Sequence, residues 1–246
     1  MRKLAGSQVA VEDLAVFGPF FAVHTHTLDS TPCDLWYPMR ELIDDPQVLI
    51  DRVNAVRAHL AAASGQPVAA VEPRVAGSVT QLGLVSRLVS PALAVAVRDR
   101  RVLDVDLGSI RWQRVLGGAF PLSVPVAAEG DQDSRPQWLA GGLYHRVVDG
   151  VIREIVEATR QFSIPTQILW GNVASAINGA TMMIARTHPE HADLALEIAT
   201  LLLDRPSLSG TSSSPPGQRF RRRSCCLIYR AAPNAAGAVC GDCILV

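Results

Sequence analysis

Four of the five cysteines in this 246-residue chain lie between positions 225 and 243, arranged as Cys225-Cys226, thirteen intervening residues, and Cys240-Gly241-Asp242-Cys243. The fifth, Cys33, is far away in sequence. Four thiolates on one short segment are the ligand supply of a soft-metal centre, either zinc or an iron–sulfur cluster. Disulfides are a poorer account. Adjacent residues are about 3.8 Å apart at Cα, below the roughly 4.4 Å lower limit of ordinary disulfide geometry. Bridges between the two pairs would need an oxidising compartment. Glu12 and Asp13 interrupt the N-terminal segment where a secretory signal has its apolar core.

Zinc suits a C-x2-C pair, but its other half is normally a second spaced pair and here it is two adjacent cysteines. Neighbouring side chains of a strand point to opposite faces, so the backbone at Ser224-Cys225-Cys226 must leave regular structure for both thiolates to serve one centre. A cluster offers two irons over which such ligands can be shared, which favours iron–sulfur and leaves zinc open. Between the pairs, Leu227-Ile228-Tyr229 reads as a short apolar strand. Pro233-Asn234 and Gly237 supply turn chemistry that brings the chain back. Gly241 gives the backbone freedom to bend between the last two ligands.

The string Arg221-Arg222-Arg223-Ser224-Cys225-Cys226-Leu227-Ile228-Tyr229-Arg230, followed by Cys240-Gly241-Asp242-Cys243-Ile244-Leu245, resembles the C-terminus of FhuF-type ferric siderophore reductases. The likeness extends to Ile168-Leu169-Trp170-Gly171-Asn172, similar to a helix that the family places upstream. It covers roughly the last hundred residues, while the first half is similar only in length and position. The loop between the cysteine pairs is longer here than is usual in the family. The resemblance implies a [2Fe–2S] cluster on Cys225, Cys226, Cys240 and Cys243. It also implies one-electron reduction of a ferric siderophore, with release of Fe(II). Arg221, Arg222, Arg223 and Arg230 would then tune the potential or attract an anionic chelate, and Asn172 is a candidate for the substrate cleft. The bland readings are a solvated basic run for the arginines and an interhelical hydrogen bond for Asn172. Two other functions stay open: a general iron–sulfur electron-transfer protein, and a zinc-stapled binding module without redox activity.

Apolar residues make up 48% of the chain, enough for a sizeable core, and the formal net charge is zero. A nucleic-acid binder would be basic overall, so none is expected as a partner. Arginine outnumbers lysine 22 to one, which reads as coding bias. No Walker loop, nucleophile elbow or Gly-rich dinucleotide turn is present, so an external electron donor is expected. Gln161–Ala185 is free of charge for 25 residues, but its many polar side chains read as a buried helix and not a membrane span. A cytoplasmic protein is expected, with room for peripheral contact at an inner-membrane transporter.

The elements that must position the cysteines are mainly helical, with a small antiparallel β-hairpin, making an α+β fold with a cysteine-rich C-terminal tail. Ser7 is expected to cap a short helix ending near Gly18-Pro19. Asp45-Pro46 opens a helix that stops at Ser64-Gly65. Another runs from Pro73 to about Val89, ahead of Ser90-Pro91. The alternation from Leu103 to Pro125 reads as the hairpin, turning at Gly108-Ser109. Glu129–Pro136 reads as a polar loop. Helices follow from Leu143 to Ile164, over 166–186 and over 189–204. The expected organisation is a helical body over 1–206, open to division at about residue 130, a Ser/Pro/Gly-rich linker over 207–218, and the tail over 219–246.

Lesser constellations carry bland readings. His24 and His26 project to one face and Cys33 is near in sequence, but two ordinary histidines of a loop or edge strand fit as well. His188 and His191 flank a helix start. Gly171, Ala174 and Gly179 read as small residues permitting close helix packing.

Overall fold

The computed structural model describes residues 11–31, 33, 35–126, 133–217, 219–237 and 239–245. Its frame is built from helices around one extensive apolar core, with a small sheet to one side. A 3-10 helix at Val11–Phe17 leads into Gly18 at φ +121°. The expected Ser7 cap lies outside the described residues. Strand β1 (His24–His26) and β2 (Tyr37–Pro38) precede the short α1 (Glu41–Asp44) and α2 (Pro46–Ala63). Helix α2 begins as its sequence dictates. The Asp45 carboxylate accepts the Gln47 N–H at 2.9 Å, and Pro46 occupies a position where a missing N–H costs nothing.

Helix α3 (Pro73–Asp99) runs straight through Ser90-Pro91, where the sequence suggested a stop. A proline inside a helix costs about 3 kcal/mol. Here Ala92, Leu93, Ala94, Val95, Ala96 and Val97 are all buried beyond it, and their packing outweighs that cost.

Strands β3 (Arg111–Trp112) and β4 (Leu122–Pro125) form the hairpin, shorter and later than the alternation suggested. They belong to a four-stranded sheet of order β1-β4-β3-β2. β1 lies parallel to β4 with His24 opposite Ser123, and β2 lies antiparallel to β3 with Tyr37 opposite Trp112. Leu103–Leu107, expected in the hairpin, is irregular.

Helix α4 (Pro136–Leu143) starts earlier than expected, at the end of the presumed polar loop, of which residues 129–132 lie outside the described set. A π-helical stretch (Tyr144–Ile152) joins it to α5 (Arg153–Thr159). Ser163 at φ +57° ends that run ahead of Pro165. Helices α6 (Thr166–Thr187) and α7 (Ala192–Leu203) complete the body. The fold is therefore mainly helical with a small sheet. α3 and α6 are long and apolar enough to cross a membrane by length and composition. In each, most of the apolar stretch is buried inside the fold, 78% for α3 and 67% for α6.

Candidate metal centre

The cysteines are reached through a segment with no helix or strand. Residues 204–217 turn repeatedly, burying Leu208 and Thr211. Asn178 of α6 holds this stretch by accepting the Gly217 N–H at 2.7 Å. The chain then returns alongside itself. Ser212 pairs with Arg222 in an isolated antiparallel bridge, and the Arg223 N–H donates to Thr211 O at 2.8 Å.

This return path separates three consecutive arginines that look equivalent in sequence. Arg223 is exposed and Arg221 half-buried, while Arg222 has 0% of its surface exposed. Arg222 Nη1 donates to Asn172 Oδ1 at 2.6 Å, and Nη2 donates to Cys240 Sγ at 3.3 Å. Its Nε is buried without a hydrogen-bond partner. Among the described residues no carboxylate forms an ion pair with it. Arg221 Nη1 donates to Gly241 O at 3.2 Å. Arg230 is paired with Glu72 at 2.5 Å at the foot of α3, away from the thiols' own hydrogen bonds.

Asn172 is fully buried and links three elements. Its Nδ2 donates to Gln81 Oε1 at 2.8 Å and lies 3.1 Å from Ser78 Oγ, both on α3. Ser78 Oγ in turn donates to Cys226 O at 2.8 Å. The interhelical reading of Asn172 therefore holds, with an addition: the same side chain carries Arg222.

The backbone around the first cysteine pair leaves regular structure. Leu227 sits at φ +70°, and its N–H donates to Cys225 Sγ at 3.3 Å. The expected strand at Leu227–Tyr229 does not form. A 3-10 turn over Ile228–Ala231 replaces it, because the left-handed Leu227 breaks any extended run. The chain comes back through Gly237, whose N–H donates to Tyr229 O at 3.0 Å. A Cβ at Gly237 would stand 2.7 Å from that oxygen, so only glycine fits. The two halves are then joined by Arg222 N–H donating to Asp242 O at 3.1 Å. Asp242 also accepts the Ser175 hydroxyl at 2.5 Å, and Cys243 N–H closes a turn onto Cys240 O at 3.1 Å.

The thiols thereby become neighbours: Cys226 is influenced chiefly by Cys240, and Cys225 lies within electrostatic range of both Cys226 and Cys243. Cys226 and Cys243 are buried, and Cys225 and Cys240 half-buried. The hydrogen bond from Cys240 pulls the Cys226 thiol down to about 5. The Ile228 N–H and the Arg222 charge act in the same direction, against burial. Cys240 is held correspondingly high, so the pair keeps one proton between two sulfurs. Burial pushes Cys225 up. Among the described residues no three His, Cys, Asp or Glu side chains converge on the position of a single ion.

Of the small residues on α6, Gly171 is the one that close packing demands. A Cβ there would lie 2.3 Å from Ser224 Oγ, which donates to Gln167 O at 3.0 Å. Gly179 faces open space, contrary to its expected packing role. Ser78, Gln81, Ser175 and Asp242 were not singled out by sequence. Their one signal was polarity within apolar helices, or within the Cys-x2-Cys string.

The remaining constellations stay apart from this centre. His24 packs edge-on against Trp36, His26 bonds Ser123 Oγ at 2.8 Å, and Cys33 is exposed. His188 pairs with Glu190 at 3.1 Å and packs at a tilt against Phe17.

A scan against models of protein families finds no match for this chain, and a search of curated proteins finds no relative.

Proposed function

We propose that the chain carries a [2Fe–2S] cluster on Cys225, Cys226, Cys240 and Cys243. With it, the protein reduces a ferric siderophore by one electron in the cytoplasm. The observation that carries this reading is the fully buried Arg222 guanidinium beside the cysteines. Removing an unpaired cation from water costs several kcal/mol. Without a carboxylate partner among the described residues, the sulfur it reaches at Cys240 is the group placed to supply negative charge. An anionic cluster supplies that charge permanently. The unsatisfied Arg222 Nε is a donor awaiting an acceptor, a role that cluster sulfur fills. The residues thus fit the group.

Directly adjacent cysteines are shared more readily between two irons than on one tetrahedral zinc, which favours the cluster. When bound, the cluster supplies a one-electron store. The protein's own residues set the conditions. Arg222 offers positive charge that favours the more negative reduced state and raises the potential. Asn172 fixes the guanidinium in place, and Ser78 anchors the Cys226 carbonyl to α3. Burial of Cys226 and Cys243 keeps water from the inner side, while the half-buried Cys240 faces outward. The substrate needs no acid–base pair. Oxygen donors of a chelator hold Fe(III) far better than Fe(II), so one electron loosens the complex. The electron itself comes from an external donor.

The deciding experiment is an anaerobic visible spectrum before and after dithionite, with iron and acid-labile sulfide assayed on the same sample. A brown protein that bleaches and holds equal iron and sulfide supports the cluster. Oxidation of the reduced protein by a ferric siderophore then separates a reductase from a general electron carrier. A colourless protein with one zinc overturns the proposal.

A further inference from the structure

A cavity of about 640 Å³ opens between α3, α6 and the turn at Gly18–Phe21, and its rim includes Cys240, Gly241 and Asp242. Its walls are chiefly apolar, from Phe20, Phe21, Leu82, Ala176 and Met183, with the hydroxyls of Ser86, Ser90 and Ser175 among them. This volume matches that of pockets for small molecules. Two glycines on facing helices leave the space open. A Cβ at Gly83 or at Gly179 would meet nothing within 4 Å. Among the described residues Asp242 is the one charged side chain in the lining, and the arginines of the tail are absent from it. Arg222 is buried behind Cys240, and Arg221 reaches the outer side of Gly241.

We propose that this cavity, between α3 and α6 beside Cys240, is the docking site for the ferric chelate, and that it selects complexes of zero or positive net charge. The proposal rests on the reductase reading above. A chelate seated here touches Cys240, the inferred ligand that lines the cavity, so an electron from a reduced centre would have a short path to it. Apolar walls accept the organic body of the chelate. The Asp242 carboxylate repels a polyanion, and no cation in the lining offsets that repulsion. Arg222, which the sequence grouped with possible attractors of anionic chelates, thus serves the centre and not the substrate.

Redox-inert gallium complexes test docking apart from electron transfer. Calorimetric titration of the whole protein with neutral Ga(III) tris-maltolate is expected to show saturable binding, with anionic Ga(III)–EDTA binding far more weakly. Gly179→Leu and Gly83→Leu each add bulk at a cavity-lining position whose Cβ meets no other atom within 4 Å. Each should weaken binding of the neutral complex by about tenfold or more. Their visible spectrum and iron-to-sulfide ratio should match those of the parent protein. No binding by the parent, equal binding by both glycine variants, or a preference for the EDTA complex would overturn the proposal. If the neutral complex binds and the variants block it in a protein that carries no iron, docking stands and the reductase reading falls.

Discussion

Arg222 and Asn172 are fifty positions apart and wholly buried, and they meet through one 2.6 Å hydrogen bond that ties the cysteine segment to helix α6. Arg222 offers its other terminal nitrogen to Cys240, so the position of Asn172 governs the direction of a charge aimed at sulfur.

Arg222→Gln should lower the midpoint potential of the bound centre, by roughly 60 mV or more if the charge favours reduction about tenfold. Arg223→Gln, at an exposed position, should leave it nearly unchanged. Spectroelectrochemical titration of both variants separates the two residues. Equal shifts would mean that general surface charge, and not the buried guanidinium, sets the potential.

Asn172→Leu preserves volume but strips a hydrogen-bond partner from Arg222 Nη1, Gln81 and Ser78 together. Leaving such groups buried and unpaired should cost roughly 2–4 kcal/mol. Thermal unfolding would register this as a clear drop in Tm, with poorer retention of iron on gel filtration.

Cys243→Ser should abolish the iron and sulfide content, whereas Cys33→Ser should change neither, because Cys33 is exposed and apart from the other thiols. Metal analysis after anaerobic purification decides this. A full metal complement in Cys243→Ser would refute the four-ligand assignment.

Gly171→Ala should push the tail off α6, since its methyl group would collide with Ser224 Oγ. A forced contact of this kind costs about 1–3 kcal/mol. Removing the hydroxyl in Gly171→Ala/Ser224→Ala should restore much of the lost iron content. Failure of that rescue would show that the clash is not what displaces the segment.

Stability should fall on acidification through the histidines. Burial lowers His26 from the ordinary 6.5, aided by Arg111, and burial likewise lowers His191. Their neutral forms are therefore favoured in the fold, and below about pH 6.5 the unfolded chain binds more protons. The contribution is complete above that pH and is lost as pH falls through the depressed folded values. His26→Gln, which can still bond Ser123, should flatten the dependence of Tm on pH between 8 and 5.

The cysteine positions were legible because ligand chemistry is local: type and spacing suffice to nominate them. The start of α2 was equally open, since Asp45 and Pro46 act on the next few backbone groups alone. The continuation of α3 past Pro91 was hidden, because it depends on what packs around Ala92–Val97. The missing strand at Leu227–Tyr229 has a comparable cause, a left-handed residue imposed by the neighbouring thiol geometry. Nothing local distinguishes Arg222 from Arg221 and Arg223. Their difference arises from a bridge to Ser212, ten residues earlier, that turns one side chain inward. Ser78 and Gln81 were invisible for the complementary reason, being polar side chains whose partners lie about ninety positions later.

The pairing of Arg222 N–H with Asp242 O joins two stretches of chain that are synthesised at different times. Both walls made by α3 and α6 are synthesised well before Cys240 and Cys243 emerge. The helical frame can condense first, whereas Cys240 and Cys243 follow it in synthesis. A centre that used all four thiols would be completed only after this segment is made. A chain halted before residue 240 would lack the sulfur that accepts the Arg222 Nη2 hydrogen bond and the Asp242 carbonyl that accepts its N–H.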